Sequence, residues 1–522
     1  MLLAKEILKN RFGYDDFRLD QEKIIGAVLE KKDVLALMPT GGGKSLCYQI
    51  PALLFPGLTV VISPLIALMK DQVGALKLNG IPSAFLNSSL TGREQSDILL
   101  AAEAGELKLL YVAPERLFSQ DPPFLEFLKR LSVSLFAIDE ARCISQWGHD
   151  FRPEYMKLAA LKRHFPEVPV MALTATADEL TRKDILEKLQ LNAPAVFISS
   201  FDRKNIYYFV RPKKNSRPRL LAYLSARRQE SGIIYVLSRR SAERWSDELE
   251  ARGFSVKPYH AGLDSQTRAE NQELFIQDKV KIMVATIAFG MGIDKSNVRY
   301  VVHLDMPKNI EGYYQETGRA GRDGLKSEAV LFYSPGDVIK LKHFARVSGN
   351  PNQTRILFKK LNQMADFCEI KTVCRRNRLL NYLGEDSPDR CDACDVCLGR
   401  VGEEVVVAEA PYEAELFKIL RAMRMDLARE AGMPAFVIFS DATLVELCAY
   451  LPQTMEDLRR ISGFGEVKLA RYGTLFLKAV TDYSRERGLS SRIEKKYTGQ
   501  AAGDIRAAVN RLKFNKTAQA RI

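Results

Sequence analysis

The sequence predicts an α/β chain of two mainly parallel-sheet domains followed by a helical C-terminal region. Three observations predict it. Short apolar runs alternate with helical patterns from the N-terminus, the alternation restarts after Phe201-Asp202-Arg203, and it stops near Pro335. Strand-like runs separated by helices read as βαβ units and hence as parallel sheets. In the first domain the runs are Val34–Met38, Thr59–Ser63, Lys108–Val112, Leu135–Ile138 and Val170–Leu173. In the second they are Ile206–Val210, Ile233–Leu237, Val256–Tyr259, Ile282–Ala285, Tyr300–Leu304 and Ala329–Tyr333. Beyond Pro335 the pattern is helical and holds a cysteine cluster. Val401–Pro411 reads as a linker, and helical periodicity resumes from Tyr412 to about Arg487. The last stretch, Gly488–Ile522, carries eight Lys/Arg against two acids and reads as a mobile basic tail with one helix near Asp504–Leu512.

Composition narrows the class. A length of 522 residues accommodates three or four domains, and 46% hydrophobic with 27% charged residues describes an ordered globular chain. The net charge of +13 favours a polyanionic partner. No apolar stretch approaches a membrane span, and the acidic residues near the N-terminus break a signal-peptide pattern. Eight cysteines, dispersed apart from one cluster, fit a reducing, cytoplasmic setting better than a disulfide framework.

Two segments carry nucleotide chemistry. Met38–Ser45 (MPTGGGKS) follows an apolar strand and precedes a helix expected over Leu46–Leu54. Gly41, Gly42 and Gly43, after Thr40, free backbone N–H groups to face phosphate oxygens. Lys44 supplies a point charge for the β/γ-phosphates, and the Ser45 hydroxyl can ligate Mg²⁺. Met38 stands where the usual pattern has its first glycine. The second segment is Asp139-Glu140, at the carboxyl end of another apolar run. There Asp139 can hold Mg²⁺ and Glu140 can orient or deprotonate an attacking water. Cys374 and Cys391-x-x-Cys394-x-x-Cys397 offer four thiolates for a closed, structural Zn²⁺ site, with Cys368 nearby as a rival ligand or, as expected, a plain buried thiol.

Further motifs resemble those of RecQ-family DNA helicases of superfamily 2, over nearly all of residues 1–487. Phe12-Gly13-Tyr14 and Phe17-Arg18-x-x-Gln21 look like the adenine-reading segment, Ser63–Gln72 and Val112–Leu117 like the next two motifs, and Thr174–Ala177 like the motif linking nucleotide state to DNA grip. Ile144–Tyr155 resembles the aromatic-rich loop, with Trp147 and Phe151 able to stack on unpaired bases and Arg152 to pair with phosphate. Thr286–Lys295 and Gln315–Gly324 look like the last two motifs. The resemblance implies two RecA-like domains (1–202 and 203–336), a zinc module (337–400), the linker (401–411), an HRDC-like bundle (412–487) and the tail (488–522). It implies Phe17, Arg18, Gln21 and the phosphate loop for ATP, and Lys44, Asp139, Glu140, Arg319 and Arg322 for hydrolysis. Arg322 is then the arginine finger and Arg319 its γ-phosphate partner. Ser63, Gln146, Trp147, His149, Phe151 and Arg152 are implied for DNA, and Arg375, Arg376 and Arg378 are expected to face DNA phosphates. Ile461–Lys468 resembles a helix–Gly-x-Gly–helix turn that points N–H groups at a phosphate.

The implied activity is ATP-dependent 3′→5′ unwinding of duplex or branched DNA in repair and recombination. ATP, Mg²⁺ and one structural Zn²⁺ are the implied cofactors. Single-stranded and branched DNA and a single-strand-binding protein are the implied partners, for a monomer in the bacterial cytoplasm at the nucleoid. Two alternatives stay open: a DNA-stimulated ATPase that remodels or anneals DNA without processive unwinding, and an RNA-dependent ATPase. The chain departs from the family twice. Only Leu398–Pro411 separates the last cluster cysteine from the bundle, where family members often carry a winged-helix domain that grips duplex DNA. The bundle and basic tail are expected to take over part of that grip. Arg142 stands where the family usually has histidine, and is expected to salt-bridge to the acidic pair or contact DNA-linked loops.

Overall fold

The structure is a computed structural model that describes residues 1–64, 66–87, 90–118, 124–145, 151–175, 179–289, 295–346, 351–402 and 412–496. Gln146, Trp147, His149, Thr176, Ala177, residues 290–294, most of the expected linker and the tail beyond Lys496 lie outside the described residues. The chain divides into two compact units, one of Met1–Lys9 with Asp15–Glu403 and one of Asn10–Tyr14 with Glu404–Ile522. No helix among the described residues is long and apolar enough to cross a membrane.

The first unit contains two sheets. Strands β1 (Val34–Leu37), β2 (Leu58–Ile62), β3 (Ser83–Leu86), β4 (Leu109–Val112), β5 (Val133–Ile138), β6 (Val170–Thr174) and β7 (Ala195–Ile198) form a sheet in the order β3-β4-β2-β5-β6-β1-β7. Its pairings are all parallel. Strands β8 (Ile206–Pro212), β9 (Ser231–Tyr235), β10 (Val256–Tyr259), β11 (Ile282–Ala285), β12 (Val298–His303) and β13 (Ser327–Tyr333) form a second parallel sheet, β10-β11-β9-β12-β13-β8. The interior strands β1, β2 and β4 are buried throughout, which is why they read as unbroken apolar runs. Two strands escape the sequence reading, β3 and β7, and both are sheet edges. In β7, an apolar run, Ala195 and Phe197 are partly buried while Val196 and Ile198 are exposed.

The strand order sets up the site. β6 lies between β5 and β1, so the loop after β1 and Asp139 after β5 open on the same sheet end with Thr174 between them. In open parallel sheets that carboxyl end is where ligands bind.

The cysteine module is bolted to the second sheet. Strand β8 is an edge, whose unpaired N–H and C=O groups need cover. The segment around Cys394 supplies it: Tyr208 N–H donates to the Ala393 carbonyl and Asp395 N–H to the Tyr208 carbonyl, both at 3.0 Å. The fully buried Asp395 carboxylate accepts from Val210 N–H (2.9 Å), Arg375 Nε (2.5 Å) and Arg211 Nη1 (3.4 Å). Arg375 also donates to the carbonyls of Phe367 and Ile370, and buried Arg376 pairs with Asp202 (3.1 Å) and donates to the Ile206 carbonyl (2.7 Å). The expectation that Arg375 and Arg376 face DNA phosphates is therefore corrected. Their charge is taken up inside the protein, and of the three arginines only Arg378 is exposed.

The segment joining the two sheets is anchored residue by residue. Ser199 Oγ donates to Asp20 (2.8 Å), Ser200 Oγ and Phe201 N–H each donate to the Glu385 carboxylate (2.6 Å), and Asp202 holds Arg376.

In the second unit the helices Ala414–Glu430, Ala435–Ile438, Asp441–Tyr450, Met455–Arg459 and Glu466–Glu486 form a small bundle. Its centre is an aromatic cluster, with Phe439 packed on Phe464 and Phe476 at ring separations of 4.3 and 5.0 Å. Buried Arg424 donates to the Phe439 carbonyl and to Asp441, both at 2.7 Å. In the Gly-x-Gly turn expected to face a phosphate, Gly463 N–H instead donates to the Gly13 carbonyl (2.9 Å), so that donor is already engaged.

Removing one partner of a buried ion pair strands the other charge, at a cost of roughly 3 kcal/mol. Asp395→Asn is expected to lower the unfolding free energy of the first unit by that order, read as a lower urea midpoint. Asp392→Asn, at a side chain 83% exposed, is expected to leave it unchanged. Equal midpoints for the two variants would show that the Asp395 network is not what secures β8.

Candidate active site

The phosphate loop grows from β1. Met38 is buried at the position of the usual glycine, its N–H donating to the Thr174 carbonyl (3.1 Å). Gly41 and Gly43 adopt φ of +78° and +80°, which side chains rarely tolerate. At Gly43 an added Cβ would also fall 2.4 Å from Gln21 Nε2. The helix Leu46–Leu54 begins where the sequence places it, with Ser45 at its N-cap.

Lys44 is half-buried and close to four other charged groups. Burial pulls its pKa down most strongly, the charges of Glu140 and Asp139 oppose this, and Arg322 and Arg142 add to the lowering. Among the described residues its ammonium makes only long bonds, to the carbonyls of Met38 (3.3 Å) and Pro39 (3.5 Å). Asp139 is pushed up to about 6, first by burial and then by the neighbouring Glu140 charge, with Lys44 among the groups holding it back. Its carboxylate accepts from Glu140 N–H (2.9 Å), and its carbonyl accepts from the Tyr155 hydroxyl (2.9 Å).

Glu140 sits in the left-handed region (φ +49°), a conformation that costs a non-glycine residue on the order of 1 kcal/mol. The bend turns the chain into the short helix Ala141–Ile144, and Arg142 on it returns to Glu140: Nη1 lies 2.6 Å from Oε2, with both side chains largely buried. Of the two expected roles for Arg142, the structure gives the salt bridge to the acidic pair.

The second lobe closes on the loop. The Arg322 Cα lies 3.3 Å from where a Gly41 Cβ would stand, and a Cβ at Gly318 would stand 3.5 Å from the Thr40 Cβ. Arg319 is buried at the Tyr235 hydroxyl, with its Nε unpartnered among the described residues. One residue that the sequence reading passed over holds this junction. Arg203 is buried, and its guanidinium donates to the carbonyls of Gly318 (3.0 Å), Ala320 (3.0 Å), Gly321 (2.9 Å) and, across the cleft, Thr40. Burial lowers its pKa, opposed by Tyr314 and Tyr208. No local pattern flags it, because all four acceptors are backbone atoms more than 100 residues away. The only signal was its place at the restart of the alternation.

Other expected residues are placed differently. The buried Gln21 amide donates to the Gly43 carbonyl (2.9 Å) and accepts from Arg18 N–H (2.8 Å), so both of its edges are engaged within the protein. Phe17 is half-buried and Arg18 exposed. Ser63 is buried, its hydroxyl unpartnered among the described residues. Half-buried Arg152 donates through Nη1 to the Pro64 carbonyl (2.9 Å), tying the aromatic-rich loop to the Ser63-Pro64 segment beside half-buried Phe151.

The sulfurs of Cys374, Cys391, Cys394 and Cys397 lie within 4.8 Å of one another. Backbone N–H groups of Asn377, Ala393, Cys397 and Cys391 point at them (3.4–3.5 Å), the surroundings of thiolates that share a metal. The residues fit one tetrahedral Zn²⁺. Cys368 is a buried thiol outside the cluster, and Cys47, Cys143 and Cys448 are buried elsewhere.

Residues 18–185 match the DEAD/DEAH box helicase family, 215–324 the helicase conserved C-terminal domain, 335–398 the RecQ zinc-binding family and 413–480 the HRDC domain. The chain is 39% identical to the ATP-dependent DNA helicase RecQ of Pasteurella multocida, over 92% of this chain and 94% of that one. It is 36% identical to the protein of the same name from Bacillus subtilis, over 92% and 99%, and 44% identical to the RecQ-like DNA helicase BLM of Xenopus laevis, over 76% and 31%. The Pasteurella alignment runs 597 positions, of which this chain's 92% of 522 residues fills about 480, so about 117 positions of that relative face no residue here. Among solved structures, DNA-bound MrfA superposes with a TM-score of 0.52 at 17% identity, over 65% of this chain and 52% of that one. The Mycobacterium smegmatis helicase Lhr gives 0.51 at 21%, over 64% and 48%. At these identities the likeness is one of fold.

Two substitutions test the junction. Arg203→Lys keeps a charge but cannot span four carbonyls. It is expected to lower kcat for nucleotide hydrolysis roughly 100-fold with KM changed about threefold or less, since a misplaced arginine loop is felt in the transition state. An unchanged kcat in a protein of unchanged melting temperature would remove Arg203 from the machinery. Arg142→His is expected to keep basal hydrolysis within about threefold while altering its stimulation by single-stranded DNA. Equal stimulation ratios in the two proteins would count against a coupling role.

Proposed function

The chain belongs to the RecQ family of ATP-dependent DNA helicases, and on that premise we propose that it moves 3′→5′ along single-stranded DNA and unwinds duplex or branched DNA in repair and recombination. The observation that carries the reading is the meeting of Lys44, Asp139, Glu140 and Arg322 at one phosphate loop, with charges from both lobes. In this reading Thr40–Gly43 cradle the phosphates, and Phe17, Arg18 and Gln21 lie on the adenine side. Lys44 exchanges its long carbonyl bonds for β/γ-phosphate oxygens. Ser45 and Asp139 hold Mg²⁺, which supplies charge neutralisation at the phosphates when bound. Glu140, fixed by Arg142, orients the attacking water. Arg322 meets the charge that develops on the transferred phosphoryl group, and Arg319 supports it. The four cysteines hold one structural Zn²⁺. On the DNA side, Ser63, Gln146, Trp147, His149, Phe151 and Arg152 form the contact set, and the Arg152–Pro64 bond supports treating its two segments as one surface.

A second reading is favoured by one observation. Fourteen residues separate the zinc-family match from the HRDC match, too few for a winged-helix domain. The protein would then hydrolyse ATP on DNA and remodel or anneal strands without processive unwinding.

Forked duplexes with a 3′ or a 5′ single-stranded arm separate the readings. Strand separation with ATP on the 3′-armed fork, lost in Lys44→Ala, is expected. DNA-stimulated hydrolysis with strand annealing and no separation would establish the second reading instead, and preferential stimulation by RNA would exclude both.

A further inference from the structure

We propose that the helix pair Pro335–Arg346 and Pro351–Glu369 is the surface with which this chain engages duplex DNA at a single-strand/double-strand junction. The proposal rests on the helicase reading and assigns the duplex contact to a place. Residues 335–369 hold six Lys/Arg against three acids. Two of the acids are engaged: Asp337 accepts from Lys213 (2.7 Å) and Glu369 from the Tyr333 hydroxyl (2.5 Å). Among the cations Lys360 pairs with Glu311 (2.8 Å). Lys340, Arg346, Arg355 and Lys359 are exposed, with no acidic partner among the described residues, and Asp366 is the one acid left to offset them.

Charge alone would describe a solvated face. The apolar exposure makes it more than that. Phe344 is 60% exposed, the one phenylalanine in the exposed class among the described residues, and Ile339 is 71% exposed. Lys340 and Phe344 lie one turn apart, which puts a cation and an aromatic ring on the same helix face. Cations meet phosphates without regard to sequence, and an aromatic ring stacks on any exposed base. A duplex end presents both chemistries side by side.

The attachment of this hairpin gives it leverage. Besides the Lys360–Glu311 pair, Phe367 packs on Tyr313 at a ring separation of 5.3 Å. Glu311 and Tyr313 belong to the helix Ile310–Thr317, which runs directly into Arg319 and Arg322. Motion of the arginine loop during hydrolysis therefore reaches the exposed face through one rigid helix. A chain with only a 14-residue spacer in place of a duplex-gripping domain needs such a surface.

The test uses full-length protein, Lys340→Glu/Arg346→Glu and, separately, Phe344→Ala. The charge reversal is expected to flatten the salt dependence of fork binding by about two in log–log slope. Both variants are expected to lose about tenfold in fork unwinding, while hydrolysis stimulated by single-stranded oligonucleotide stays within about twofold. Melting temperatures should not move, because the residues are exposed. Wild-type slope and unwinding in the folded variants would overturn the proposal. A wild-type protein that binds forks but does not unwind them overturns the helicase reading instead, and the slope still decides the hairpin.

Discussion

A single buried guanidinium sets the geometry on which the candidate active site depends. Arg203 donates to three carbonyls of the Gly318–Gly321 segment and to Thr40 across the cleft. A charge in that position is tolerable only if its donors are met, and here they are met by backbone rather than by a carboxylate. The result is that the loop carrying Arg319 and Arg322 and the loop carrying Lys44 are referenced to the same atom group. Around it the other charges fall into a compact order: Lys44 against Asp139 and Glu140, Glu140 against Arg142, and Arg322 against Gly41.

The second lobe is completed in a comparable way at its far side. Its sheet ends in β8, and the Cys394 segment continues the ladder there, with Asp395 buried beneath two arginines. The metal cluster and the edge strand are thus one structural element. A zinc module reads from sequence as a separate domain, but its hydrogen bonds are those of the sheet it covers. That also explains why Arg375 and Arg376, which look like phosphate ligands in the sequence, are interior.

Much of this was legible in the residues, and what was not follows a pattern. An interior strand such as β11 is read to the residue, because burial on both faces leaves an apolar run with sharp ends. The phosphate loop and the acidic pair were legible because their chemistry needs fixed residue types at fixed spacing. The edges β3 and β7 were not, whereas the edges β8 and β10 of the second sheet were. The roles of Arg203, Arg375 and Arg376 were not legible either. Charge in a sequence does not tell whether its partner is a phosphate, a carboxylate or a distant carbonyl. Gln21 makes the same point: an amide suited to a base edge is engaged here by the loop it sits under.

The connection between the two sheets is a chain of anchors rather than a tether. Ser199, Ser200, Phe201, Asp202 and Arg203 are each held by a partner elsewhere in the first unit, with Ser200 and Phe201 sharing Glu385. Connecting segments usually absorb inserted or deleted residues with little loss, since each doubling of a free loop adds only about 0.6 kcal/mol. This one has no such slack. A single inserted residue would put Arg203 out of register with Thr40, Asp202 out of reach of Arg376, or both. Length in this stretch is therefore under tighter constraint than residue identity, and sequence drift here should proceed by substitution alone.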